Sequence, residues 1–199
     1  MNFLAHLYLA APSCESRLGN LMGDFVKGTP DPRLAPPIIA GIYQHRAIDQ
    51  LTDRHPIVRR SKQLISVERR RFAGIIIDVC YDHFLHQHWP AYSSRNLPTF
   101  TQEIYAQLPE YKGYLPQRVR TAIAAMTTHD WLNSCQTIAG VGQVLNRIAG
   151  RLKHPGPLPG AEEELRHHYA LLDAHFRQFF PEAIAFARQC CAKNNAKIP

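Results

Sequence analysis

Apolar positions along the chain recur at three- and four-residue intervals, and the period-two alternation that marks half-buried strands is absent. In "ESRLGNLMGDFVKG" they fall at positions 18, 21, 22, 25 and 26, a helical stripe that Gly28 and Pro30 end. "PPIIAGIYQHRAIDQLTD" opens on prolines suited to a first helical turn and carries Ile38, Ile39, Ile42, Ile48 and Leu51. "HPIVRRSKQLI" and "ERRRFAGIIIDVCYDHFLHQHW" follow, the second closed by Pro90. Further helices are expected from "TFTQEIYAQL", "PQRVRTAIAAMTTHDWLN", "CQTIAGVGQVLNRIAGRL" and "AEEELRHHYALLDAHFRQFF", the last continuing past Pro181 to about Cys191. The conspicuous breaker "HPGPLPG", residues 154–160, reads as an internal loop. The expectation is an all-α, single-domain helical bundle over residues 1–199.

Polar residues interrupt this pattern in a regular way. Asn2 and His6, Asn20 and Asp24, His45 and Asp49, and Asp78 and Asp82 (with His83 beside it) are each four apart, the spacing that shares one helix face. Taken singly, each has a plain explanation as a cap, an exposed face or a satisfied core histidine. Together they fall within the first 83 residues, on segments that must also pack inward. Two neighbouring carboxylates repel and are costly to bury unless something positive lies between them. Helices of a bundle can converge such pairs on one interior metal site. Imidazole plus carboxylate without thiolate suits Mn²⁺, or another hard divalent ion such as Mg²⁺ or Fe²⁺. His83, His86 and His88 form a candidate for a separate zinc site at the end of their helix. A His/Asp site with open positions can lower the pKa of bound water and neutralise phosphoryl oxygens, which points to a phosphoester substrate. Arg46, next to His45, is placed to clamp phosphate, or else is a solvated helix arginine.

Composition narrows the class. No apolar run reaches the length of a membrane span, and "MNFLAHLYLAAPSC" lacks a basic n-region and is interrupted by His6, so it is not read as a leader. Five cysteines without C-x-x-C spacing argue against a disulfide framework and favour a reducing cytoplasm. The net charge is +7, and Arg54 to Arg71 holds seven Arg or Lys against Glu68 alone, a local +6. Such a surface attracts an acidic partner or is a solvated face. With no RNA-binding signature or interleaved aromatics, nucleic acid is not the expected partner.

The motifs "MNFLAHLYLA", "GNLMGDFVKG", "GIYQHRAIDQLTD" and "DVCYDHFLHQHW" resemble those of the bacterial acyl carrier protein phosphodiesterases, and "VLNRIAGR" and "LLDAHFRQFFPE" fit more weakly. The resemblance runs in order along essentially the whole chain, dense to Trp89 and sparse between Tyr92 and Gln143. It implies an all-helical fold distantly akin to the HD-type metal-dependent phosphohydrolases. The reaction it implies is Mn²⁺-assisted hydrolysis of the phosphodiester that joins 4′-phosphopantetheine to a serine of holo-acyl carrier protein. Carried across by motif, Asp24, His45, Asp49, Asp78, Asp82 and His83 become the candidate metal shell, with Asp24 and Asp78 also candidates for catalysis. Asn2 and His6 become supporting or phosphate-facing groups, and His6 a candidate proton donor to the leaving serine. Tyr81 stands where tryptophan is expected, Ala47 where arginine is common, and the order Asp82–His83 reverses the HD dyad.

Acyl carrier proteins are small and acidic, so Arg59, Arg60, Arg69 and Arg70 are expected to dock one and raise the encounter rate. Two other readings compete: an HD-like hydrolase of a nucleotide or other small phosphoester, and a non-catalytic basic helical module. The second leaves the clustered carboxylates without a purpose.

Overall fold

The computed structural model describes residues 1–195, with side chains described to Ala192; residues 196–199 of the expected domain lie outside the described residues. The described residues are helical or loop, and no strand occurs among them. In chain order the helices are α1 (Phe3–Leu9), α2 (Cys14–Met22), α3 (Pro36–Arg54), α4 (Pro56–Leu64), α5 (Ala73–Gln87) and α6 (Trp89–Tyr92). They continue as α7 (Leu97–Gln107), α8 (Gln117–Thr128), α9 (Ile138–Ala149), α10 (Glu162–His167) and α11 (Tyr169–Asn195). Single 3₁₀ turns at Val67–Phe72 and Trp131–Gln136 precede α5 and α9.

α5 is apolar on nearly every side, from Ile76 and Ile77 through Phe84 and Leu85, and a helix of that kind belongs in the middle of a bundle. It is packed by α1, α4, α9, α11 and both 3₁₀ turns. Tyr81 and Phe84 of α5 meet Phe176 and Phe179 of α11, with ring centroids 5.5 to 6.0 Å apart. Those four side chains are fully buried and anchor the core. Fully burying one such ring contributes roughly 1.5–3 kcal/mol.

Several expected helices are shorter or broken, among them those expected from Glu68 and Cys135, which begin as 3₁₀ turns and become α-helix at Ala73 and Ile138. The stripe from Glu15 ends at Met22, not Gly28: Phe25 and Val26 return their N–H groups to Met22 O, and residues 23–25 form a turn. The segment 116–133 stops at Thr128 because Asp130 takes a left-handed conformation (φ 45°) that no α-helix accommodates. The final segment breaks at His168 into α10 and α11, whereas Pro181 is accommodated inside α11. The loop at 154–160 is present as expected.

The contact that governs the site is the crossing of α2 on α3. A Cβ at Gly19 would lie 2.7 Å from the Gly41 Cα, and one at Gly41 would lie 2.9 Å from the Gly19 Cα. The two backbones therefore touch, and only glycine on both sides permits it. Asn20, beside this crossing, donates to Gln44 Oε1 (2.9 Å) and Ser16 O (3.0 Å), so it holds the helix pair together.

Candidate metal centre

The α2–α3 crossing carries the turn after α2 onto the middle of α3, where His45 and Asp49 stand one helical turn apart. His45 Nε2 lies 3.1 Å from Asp49 Oδ2 and 3.6 Å from Asp24 Oδ1. Asp24 thus reaches the site from a turn, with its side chain half exposed. Gly23 lets the turn close, since a Cβ there would sit 2.1 Å from His45 Cγ. α1 contributes His6, whose Nε2 is 3.0 Å from Asp49 Oδ1. The His6 and His45 rings stack, with centroids 3.8 Å apart and planes 20° off parallel. One donor atom from each of His6, His45 and Asp49 falls within 4.8 Å of the others. α5 adds Asp78, and the Met1 α-ammonium bridges Asp78 Oδ1 (3.1 Å) to Asp49 Oδ1 (3.4 Å).

Electrostatics follow from this geometry. Burial disfavours charge on both imidazoles, but bonds from Asp24 and Asp49 outweigh it at His45 and raise its pKa to about 9. At His6, burial and the charge of His45 prevail and lower the pKa to about 4. The stacked pair therefore shares one proton near neutral pH. Asp49 resists its own burial because both histidines and the α-ammonium hold it far below the usual carboxylate range. The α-ammonium is desolvated yet raised to about 10 by Asp78 and Asp49. Burial raises Asp78 against the pull of that ammonium. The cluster is built to hold positive charge.

Other residues nominated from the sequence lie elsewhere or have different partners. Both Asp82 oxygens accept backbone N–H groups at the start of α1, Leu4 at 3.0 Å and Ala5 at 3.1 Å. Burial nevertheless pushes the Asp82 pKa up to about 7. His83 bonds Cys135 O (2.9 Å) and the Tyr169 hydroxyl (3.1 Å), His86 bonds Leu132 O (2.9 Å), and His88 makes a close pair with Asp173. These three histidines point to separate partners and share no common point. Asn2 precedes α1 and lines a cavity beside the cluster. Arg46 donates to Val26 O (2.8 Å) and borders the cluster's open side.

In the basic segment, Arg69 is tied to Pro157 O (2.9 Å) and Glu164 (3.2 Å), and Arg70 to Ile65 O (3.0 Å), so both fasten this segment. Arg59 and Arg60 are exposed. Sequence reasoning passed over Lys27 and Arg54, which line the cluster's open side, and Arg118 and Arg151, which line the neighbouring cavity. The signal for Arg151 was available: with Arg147 it forms an i,i+4 basic pair flanking Ile148.

The donor chemistry fits a hard divalent ion: two imidazoles and a carboxylate converge, further carboxylates stand close by, and no thiolate takes part. The proton on His45 and the α-ammonium already place positive charge among Asp24, Asp49 and Asp78.

Comparison with known proteins agrees with the resemblance read from the motifs. Residues 1–183 match the family described as acyl carrier protein phosphodiesterase. A protein of that name from Photorhabdus laumondii is 39% identical over 185 residues, 91% of this chain and 92% of the relative. Its namesake from Serratia proteamaculans is 37% identical over 189 residues, 94% and 98% of the two chains. That from Escherichia coli O157:H7 is 36% identical over 192 residues, covering 94% and 97%. No solved structure matches the fold significantly. With the family match spanning nearly the whole chain and relatives above a third identical over more than nine-tenths of their lengths, the chain belongs to the acyl carrier protein phosphodiesterase family.

Proposed function

We propose that this protein hydrolyses the phosphodiester between 4′-phosphopantetheine and the serine of holo-acyl carrier protein, and that the reaction requires a divalent ion, Mn²⁺ first among them. The observation that carries the reading is the convergence of His6, His45 and Asp49 within 4.8 Å, in a chain whose relatives bear that enzyme's name. His6, His45 and Asp49 would hold the ion, with Asp24 and Asp78 beside them. His6 then acts as a ligand and not as the proton donor, since its Nε2 already faces Asp49 at 3.0 Å within the converging trio. When bound, the ion supplies Lewis acidity to a non-bridging phosphoryl oxygen and lowers the pKa of water. Arg46, anchored on Val26 O, orients the phosphate on the open side, with Lys27 and Arg54 adding positive charge around it. Water oxygen bonds to phosphorus as the bond to the serine oxygen breaks, and that oxygen leaves with a proton. The products are apo-carrier protein and 4′-phosphopantetheine.

The same reading includes distant kinship with HD-type hydrolases, supported by the histidine and aspartate donors carried on helices. It also includes a cytoplasmic location in fatty-acid metabolism, supported by an odd cysteine count without C-x-x-C spacing. Among the described residues no helix is long and apolar enough to cross a membrane.

Intact-mass spectrometry of holo-carrier protein incubated with the chain tests the reading. Loss of one phosphopantetheine mass with Mn²⁺, and none with excess EDTA, is the expected result. An unchanged carrier in the presence of Mn²⁺ rejects it, and release of phosphate from nucleotides would then identify a small-molecule hydrolase.

A further inference from the structure

The space around the cluster divides into two cavities of different character that share Asp24. The first, about 550 Å³, is polar and contains His45, Asp49, Arg46, Lys27 and Arg54. The second, about 290 Å³, has walls from Phe3, Phe25, Ile75, Val79 and Ile148. Asp78 also lines it and connects it to Asp49 through the α-ammonium between them. Arg118 and Arg151 complete the lining, their guanidiniums 5.7 Å from the Phe25 ring centroid and 5.1 Å from that of Trp131. Among the described residues neither guanidinium forms an ion pair, so their donors are available to a ligand.

We propose that the apolar cavity receives the pantetheine arm of the substrate, with the phosphate end at the cluster and the arm running past Phe25 and Ile148 to Arg118 and Arg151. The inference rests on the phosphodiesterase reading above and adds where the substrate lies. Its first support is continuity: a scissile phosphodiester has two substituents, and the cluster has two cavities meeting at Asp24. Its second is chemical. One methylene beyond its phosphate ester oxygen the arm carries a quaternary carbon with two methyl groups, then a hydroxyl, and farther out two amides and a thiol. An apolar wall close to the cluster suits the dimethyl carbon, and the arginine donors suit the amide carbonyls. The polar cavity, with lysine and arginines, suits the phosphate and the acidic protein on the other substituent.

The test uses pantetheine, which lacks the phosphate and therefore reports on the arm site alone. Binding to the full chain is followed by ligand-observed NMR, and hydrolysis of holo-carrier protein is measured alongside. Ile148→Trp fills the cavity from a half-buried position of α9, and Ile148→Leu conserves its volume. Ile75→Trp fills the same cavity from α5 if the first variant fails to fold. The expected result is that pantetheine competes with holo-carrier protein. Each folded tryptophan variant should weaken pantetheine binding and raise KM by about tenfold or more, with kcat changed far less. Ile148→Leu should behave as wild type. A tryptophan variant that folds and keeps both pantetheine affinity and KM overturns the arm site while the hydrolysis stands. A wild-type chain that leaves holo-carrier protein intact overturns the phosphodiesterase reading itself.

Discussion

Asp82 offers the sharpest separation between a ligand and a structural carboxylate. α1 is seven residues long, and its N-cap Asn2 makes no side-chain capping bond. Its first-turn N–H groups at Leu4 and Ala5 are taken instead by the Asp82 carboxylate, 3.0 and 3.1 Å away, from the centre of α5. Asp82→Ala leaves two buried donors unpaired, at about 1–3 kcal/mol each. Against this stands the relief of burying a carboxylate whose pKa has been pushed up to about 7. At pH 8, where the group is ionised, that relief is greatest and offsets much of the loss, so a net destabilisation of no more than about 2 kcal/mol is expected, the range of a lost helix cap. Urea unfolding followed by circular dichroism in EDTA should show a lower midpoint with an unchanged slope. Mn²⁺ affinity of the folded variant, measured by calorimetry, should fall by no more than about tenfold, the effect of a displaced α1 on His6. Full stability combined with a loss of Mn²⁺ affinity beyond about 100-fold would refute the reasoning and make Asp82 a ligand.

Gly23→Ala should keep the fold, because its backbone is ordinary helix (φ −51°), yet push the His45 ring aside through a Cβ 2.1 Å from Cγ. Mn²⁺ binding and carrier hydrolysis should both fall by about 100-fold or more, as for loss of a ligand, with a stability loss of about 1–3 kcal/mol from the overpacked ring. Burial holds the His86 pKa down to about 4, so the unfolded chain binds this proton more readily between pH 6.5 and 4. Stability should therefore fall as pH drops through that window, by up to about 3 kcal/mol from this group, and His86→Gln should flatten the slope in a pH series of urea titrations. Neutralising exposed Arg59 and Arg60 should slow carrier hydrolysis at low salt and leave the rate at high salt unchanged; an unaltered low-salt rate removes this face from docking. Arg69→Ala should instead lower stability, since its guanidinium fastens Pro157 and Glu164.

The helical character and the inward faces were legible because the 3.6-residue period is strong and prolines mark several starts. His45 and Asp49 were legible for the same reason, as an i,i+4 pair on an uninterrupted helix. The grouping of Asp78, Asp82 and His83 was not resolvable from spacing. Asp78 and Asp82 do share a face, and both look toward the beginning of α1, but one meets a cation and the other meets N–H donors. That distinction depends on where α1 lands on α5, a tertiary fact. His83, one step round the helix, faces Tyr169 and Cys135. Asp24 was identified, but not its turn, because the apolar stripe continues through Phe25 and Val26 and masks the break after Met22. Arg118 comes from the region of sparse motif similarity and Arg151 ends the weaker motif "VLNRIAGR", and the two gain interest only once the fold brings them to one cavity.

Two helices that meet backbone to backbone, as α2 and α3 do at Gly19 and Gly41, have no layer of side chains between them to slide or repack. That pair is consequently the stiff wall beside the His6–His45–Asp49 cluster, and the relative placement of Asp24 and His45 is nearly a property of the chain trace. On the opposite wall Arg118 of α8 and Arg151 beyond α9 rest on aromatic faces without ion pairs among the described residues, while the start of α9 is held close, a Cβ at Gly140 falling 1.9 Å from Ser134 O. Opening for the proposed arm is therefore expected at α8 and the end of α9, and not at the α2–α3 crossing. Amide exchange should be slowest in residues 16–20 and 38–45 and should open first in the segment that carries those arginines.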